Sequence, residues 1–233
     1  MILLIAFLTS ALSAIFGMAG GLILMGVYAA MLPVAAAMVL HGFTQIVANG
    51  SRALRLWRHV DRASVLRYAL GACVAVMLLG SVRYVPSTQV VFLTLGAMPF
   101  LSQLLPWKLD FSRTPVLAGA VVGGVQLIAG VGGPLLDLFF VNSMMDRHQV
   151  VATKAATQTL SHLLKISYFA AMLQGEVAPP ETFVGLAVVA VAGTWAGGQV
   201  LERMSDTNFR RWTRWIVWGV GASYLVRGVM YHN

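Results

Sequence analysis

Apolar residues run through this chain in blocks long enough to cross a bilayer, for instance over 33–56, 66–82, 150–173 and 183–201. Two blocks carry a polar stripe: His41, Gln45, Asn49 and Arg52 in one, Lys154, Gln158, His162 and Lys165 in the other. Each residue of the first stripe lies 113 positions before its counterpart in the second. On a helix the spacing i, i+4, i+8, i+11 falls at about 0°, 40°, 80° and 20°, so each quartet lines one face. Polar faces inside hydrocarbon are costly and turn toward a bundle interior or a water-filled cavity.

The pattern predicts an all-α polytopic membrane protein of two repeats. Repeat 1 covers 1–110, with a broken segment over 1–32, a striped helix over 33–57 and spans over 65–82 and 88–106. Repeat 2 covers 111–233, with a broken segment over 115–145, a striped helix over 149–173 and spans over 182–201 and 212–230. The breaks are glycine clusters, Gly17-Met18-Ala19-Gly20-Gly21 and Gly130-Val131-Gly132-Gly133-Pro134. Their Gly-Gly pairs are 112 apart, so one residue of slack is expected before each stripe. The halves divide near residues 106–115. Duplication of this kind is common in transporters.

Composition agrees with the class. The 233 residues are 58% hydrophobic and 10% charged, with mean hydropathy +0.79. A soluble domain needs more charged surface than this, and a β-barrel would show short alternating segments. The net charge of +8 does not read as a nucleic-acid footprint, because no basic face is interleaved with aromatics outside the apolar blocks. Lys and Arg concentrate in cytoplasmic loops instead. The lone Cys73 excludes an internal disulfide and a multi-cysteine metal site. No basic region precedes Met1–Ile5, so the first block is expected to stay in the mature chain.

Charge also chooses between topologies. If every apolar block spans once, Lys and Arg outside the membrane split 7 inside to 6 outside. If 1–32 and 115–145 each fold back as a hairpin, Arg55, Arg58, Arg62, Arg67, Lys108, Arg113, Arg147, Arg203, Arg210, Arg211 and Arg214 fall inside. Only Arg83 and Arg227 remain outside. Three spans plus a hairpin per half is an odd number of crossings, so the halves are expected to be inverted. One long broken helix per segment is the alternative. Trp57, Trp107, Trp195, Trp212 and Trp215 fall mostly near segment ends, where an indole suits the headgroup region.

The candidate chemistry is anion binding. A helix beginning after a glycine break aims its N–H groups and positive dipole end at the break, which places Gly20, Gly21, Gly132 and Gly133 at the site. Arg52, Lys154 and Lys165 supply cations, while Asp137 is the one acidic residue within an apolar block. A bound anion would offset that excess. Gln45, Gln158, Asn49, Thr44, Thr157 and Ser161 add neutral donors. The competing readings are snorkelling for Arg52 and Lys165, a loop-proximal helix start for Lys154, and helix–helix packing or hydrogen bonding for the glycines and glutamines. His41 and His162 are candidates for a coupling proton, with Asp137 as a rival site or a partner for a lysine. His59, His148 and His232 read as loop or terminal residues. No catalytic signature, metal site or cofactor motif is present in the sequence.

The segment Ser13-Ala14-Ile15-Phe16-Gly17-Met18-Ala19-Gly20-Gly21 with its stripe, repeated at Gly130–Gly133 and Lys154–Lys165, resembles the sulfite exporter TauE/SafE family over essentially the whole chain. The resemblance implies an inner-membrane carrier of sulfite, sulfoacetate or related organosulfonates, linked to proton movement. The sequence reading is therefore a multi-pass secondary transporter that exports a small sulfur anion, partnered by protons and lipid, with a homodimer left open. An anion channel and a membrane scaffold protein are the rival readings.

Overall fold

The chain reverses at two single glycines. Gly17 and Gly130 hold positive φ of 65° and 78°, which a Cβ disfavours, and each separates one helix from the next. The structure is a computed structural model describing residues 1–104, 109–173 and 175–231. Pro106, Trp107, Lys108 and His232 lie outside the described residues. Among the described residues there are ten α-helices, a 3₁₀ turn over Trp57–His59, and no strand.

α1 (Ile2–Phe16) and α2 (Met18–Met31) meet at Gly17, and α6 (Pro115–Ala129) and α7 (Gly133–Val141) meet beyond Gly130. Both arrangements fold back. Gly20 of α2 sits against Thr9 and Ser13 of α1, eleven and seven residues earlier, and Gly132 sits against Val122 and Gln126 of α6. The Phe111 N–H just before α6 donates to Phe139 O near the end of α7 at 2.8 Å, closing the second hairpin. A straight helix interrupted in passing would hold these positions far apart.

Gly17 and Gly130 are 113 apart, so the stripe spacing holds at the hinges themselves, and the one residue of slack at the Gly-Gly pairs lies between those pairs and the stripes. The same spacing relates the first residues of α1 and α6, and those of α3 (Val34–Arg55) and α8 (Arg147–Ala170). Local signals start and stop these helices. Pro33 precedes α3, while Asp146 caps α8 in a box with Gln149. Asp61 accepts from the Ser64 N–H at the head of α4 (Arg62–Ser81).

α3 and α8 cross at the centre in antiparallel fashion. Gly42 faces Lys165 and Ile166, Gly50 faces Thr159, and the Asp61 N–H donates to Thr153 Oγ1 at 3.0 Å. Around them α1 packs on α9 (Pro180–Glu202), and α6 packs on α4. Glycines bring these backbones close: Gly193 and Gly197 lie on the α1 carbonyls of Phe7 and Ala11, and Gly71 and Gly119 each lie on the other helix's backbone. α5 (Thr88–Leu104) pairs with α10 (Asp206–Met230), again antiparallel, with Phe92 near Tyr231 and Phe100 near Trp218.

α4 and α9 are each long and apolar enough to cross a bilayer, and α1, α2, α5 and α6 contain shorter apolar helices. Leu66, Leu70, Val74 and Met77 of α4, with Val184, Val188, Val191 and Trp195 of α9, form outward apolar stripes at helical spacing. The interior, by contrast, contains His41, Gln45, Asn49, Gln126, His162 and Lys165. Apolar faces outward around a buried polar centre suit a lipid surrounding.

Candidate functional site

The two stripes face each other across the α3/α8 crossing and enclose a cavity of about 50 Å³. α3 contributes His41, Gln45, Asn49 and Arg52, and α8 contributes Lys154, Gln158 and His162. The hinges add Gly17, Gly21, Val131 and Gly133. In this measure one water needs about 10–15 Å³. The cavity thus has room for a few waters or a compact oxyanion.

Hydrogen bonds fix the lining. Asn49 Nδ2 donates to Gln45 O at 3.0 Å and Gln45 Oε1 at 3.2 Å, leaving the Gln45 amide nitrogen uncommitted by that pair. His41 Nε2 lies 3.1 Å from Gly21 O. A carbonyl only accepts, so this contact places a proton on Nε2 and leaves Nδ1 to accept. Lys165 Nζ fills that role, donating to His41 Nδ1 at 2.8 Å and to Gly130 O at 2.9 Å. Gln126 Nε2 lies 2.8 Å from His162 Nδ1, which assigns the proton of a neutral His162 to Nε2. The two histidine rings are 5.4 Å apart.

The three cations of the stripes have different surroundings. Lys165 is wholly buried and stands behind His41, outside the cavity lining. Lys154 lines the cavity and pairs with Asp137 of α7. Arg52 lines the cavity, and among the described residues no carboxylate lies in ion-pair reach of it. Gly20 and Gly132 pack on α1 and α6 behind the cavity, while Gly21 and Gly133 line it.

Two residues near the stripes are given no role by the sequence alone. Ser13 lines the cavity and Gln126 holds His162. They are 113 positions apart, so carrying the stripe spacing upstream through the glycine breaks finds both. Thr44 and Thr157 are turned to their own helix carbonyls, and Ser161 is paired with the Tyr68 hydroxyl at 2.7 Å, so these three give less to the cavity than their sequence positions promised.

An all-helical chain with outward apolar stripes and a cationic, glycine-backed cavity has the make-up of a membrane transporter. The comparisons with known proteins name the kind: the sequence model described as Sulfite exporter TauE/SafE matches residues 2–224. The chain belongs to the sulfite exporter TauE/SafE family, a family of membrane transporters. No curated protein and no solved structure matches it.

Proposed function

We propose that the cavity binds a compact sulfur oxyanion, sulfite or a short organosulfonate, and that the protein exports it across a bacterial-type cell membrane by alternating access. The observation that carries this reading is the meeting of Arg52 and Lys154 with Gln45, Asn49 and Gln158 around one small cavity at two glycine hinges. Arg52 and Lys154 supply charge, the amides supply hydrogen-bond donors, and the helix starts after Gly17 and Gly132 add backbone N–H groups. A coupling proton travels on the His41–Lys165 pair or on His162, the two buried groups next to the cavity that can take up or release one.

Alternating access rests on an inverted-repeat reading of the helices. Exchanging the first five helices with the last five maps α1·α9 onto α6·α4 and returns α3·α8 and α5·α10 to themselves. Both self-paired contacts are antiparallel, as a twofold axis lying in the membrane plane requires. The site then sits on that axis, where one half rocking against the other exposes it to each side in turn.

The test is uptake or efflux of an anion panel in liposomes carrying the purified protein, with and without a pH gradient. The reading expects saturable sulfite flux that responds to the gradient and is lost in Arg52→Gln. Flux that never saturates would identify a channel. Absence of both flux and binding across the panel would leave a scaffold role.

A further inference from the structure

We propose that Asp137 is a tethered counter-ion, holding Lys154 when the site is empty and yielding it to the transported anion. This rests on the anion-carrier reading above and assigns a specificity-determining role within the same site.

The geometry separates Lys154 from the other two cations. Lys165 is fully buried against the neutral acceptors His41 Nδ1 and Gly130 O, so it has no anion to exchange. Arg52 faces the cavity without a carboxylate partner among the described residues. Lys154 alone both lines the cavity and is ion-paired with a carboxylate of its own chain. Asp137 lies one helical turn after Gly133, which itself lines the cavity, so the two share a face of α7.

An anion entering beside Arg52 comes within reach of the Lys154 ammonium. Two anions on one ammonium repel, so a bound oxyanion weakens or replaces the Asp137 contact. The exchange is feasible because the pair is not sealed in protein: the side chains of Lys154 and Asp137 are 26% and 29% exposed and Lys154 borders the cavity. A fully buried pair would instead strand a charge. Asp137 thereby lowers the affinity of the site for its substrate and keeps Lys154 compensated after the substrate leaves.

The test measures sulfite binding and sulfite transport by the full chain, at one pH and ionic strength, for wild type, Asp137→Asn, Asp137→Glu, Lys154→Ala and Asp137→Asn with Lys154→Ala. Asp137→Asn is expected to bind sulfite about two- to five-fold more tightly, the range a partly exposed pair supports. Its KM should fall by that factor without a rise in kcat, and Asp137→Glu should restore the wild-type values. The gain should vanish in the Lys154→Ala background; a gain that persists there is a through-space effect of one fewer negative charge and overturns the proposal. Unchanged or weaker binding in Asp137→Asn, with wild type binding sulfite, overturns it as well. Failure of wild type to bind any anion removes the carrier reading and this inference with it. Wild type alone offers a second readout that survives a misfolded variant. With isotope-labelled aspartate, the infrared carboxylate band of the ion pair should shift on sulfite addition, and an unmoved band counts against the exchange.

Discussion

Lys165 Nζ stands 2.8 Å from His41 Nδ1, and through these two side chains the glycine breaks of both halves are joined. Gly130 O receives Lys165 at one end, and Gly21 O receives His41 at the other. Removing His41 alone should leave a buried ammonium short of one acceptor, at about 1–3 kcal/mol. His41→Leu combined with Lys165→Met removes the charge with its acceptor and should be much less unstable than His41→Leu by itself. Melting of the two single variants and the double variant in detergent checks this; additive losses would show that the contact carries no coupling.

The hinge glycines should tolerate substitution unequally. A Cβ at Gly17 would meet nothing within 4 Å, so Gly17→Ala carries only backbone strain, about 1–3 kcal/mol. At Gly130 the same strain is joined by collisions with Met25 and Met38, and the loss should be larger. Gly198→Ala, within α9 and in open space, should change stability by no more than about 1 kcal/mol and in the favourable direction. Thermal melting of the three variants gives the order.

Arg52→Gln separates ligand binding from folding. The residue has no ion-pair partner among the described residues, so melting without anions should be unchanged or slightly raised. The stabilisation by sulfite should disappear. A variant that melts lower yet keeps its full sulfite shift would place the anion elsewhere.

Cavity size predicts selectivity. Compact oxyanions should compete with labelled sulfite, whereas a dye sulfonate of several fused rings, far larger than the space for a few waters that the cavity offers, should not. Displacement by the bulky anion at similar concentration would contradict the assignment of this cavity as the site.

Acid should loosen the head of α8. The Gln149 backbone N–H, followed by that of His148, holds the Asp146 carboxyl below its ordinary value of 3.8. A depressed folded-state value contributes stability that is fully present above the unfolded value and fades as pH falls through the folded one. The loss therefore begins below about pH 4. Asp146→Asn keeps a capping side chain but does not titrate, and should flatten this acid limb in a pH series of melts.

Much of the plan was legible in the chain because polar residues at helical spacing have few uses inside an apolar block. That logic put seven stripe residues around one cavity. Spacing did not foretell the placement of Lys165, whose long stem lets its ammonium reach inward to His41 and Gly130 O beside the cavity; spacing fixes a face but not a reach. The fold-back at Gly17 rested on the Lys and Arg distribution alone in the sequence, since a glycine supports both a kink and a reversal. The packing of Gly20 on Thr9 and Ser13, a contact between neighbouring helices, decides it. Gln126 was passed over because a single amide in an apolar helix has many ordinary explanations, and only its contact with His162 singles it out.

The spacing-matched positions are no longer alike. Arg52 faces the cavity where Lys165 is walled in, and the Asp137–Lys154 pair answers to Leu24 and His41 in the first half. Were the halves identical, the inward- and outward-open forms of an inverted repeat would be copies, holding substrate with equal strength. In the proposed alternating-access cycle, divergence at these few positions removes that equality, so a carrier built this way would grip its cargo on one side of the membrane and loosen it on the other.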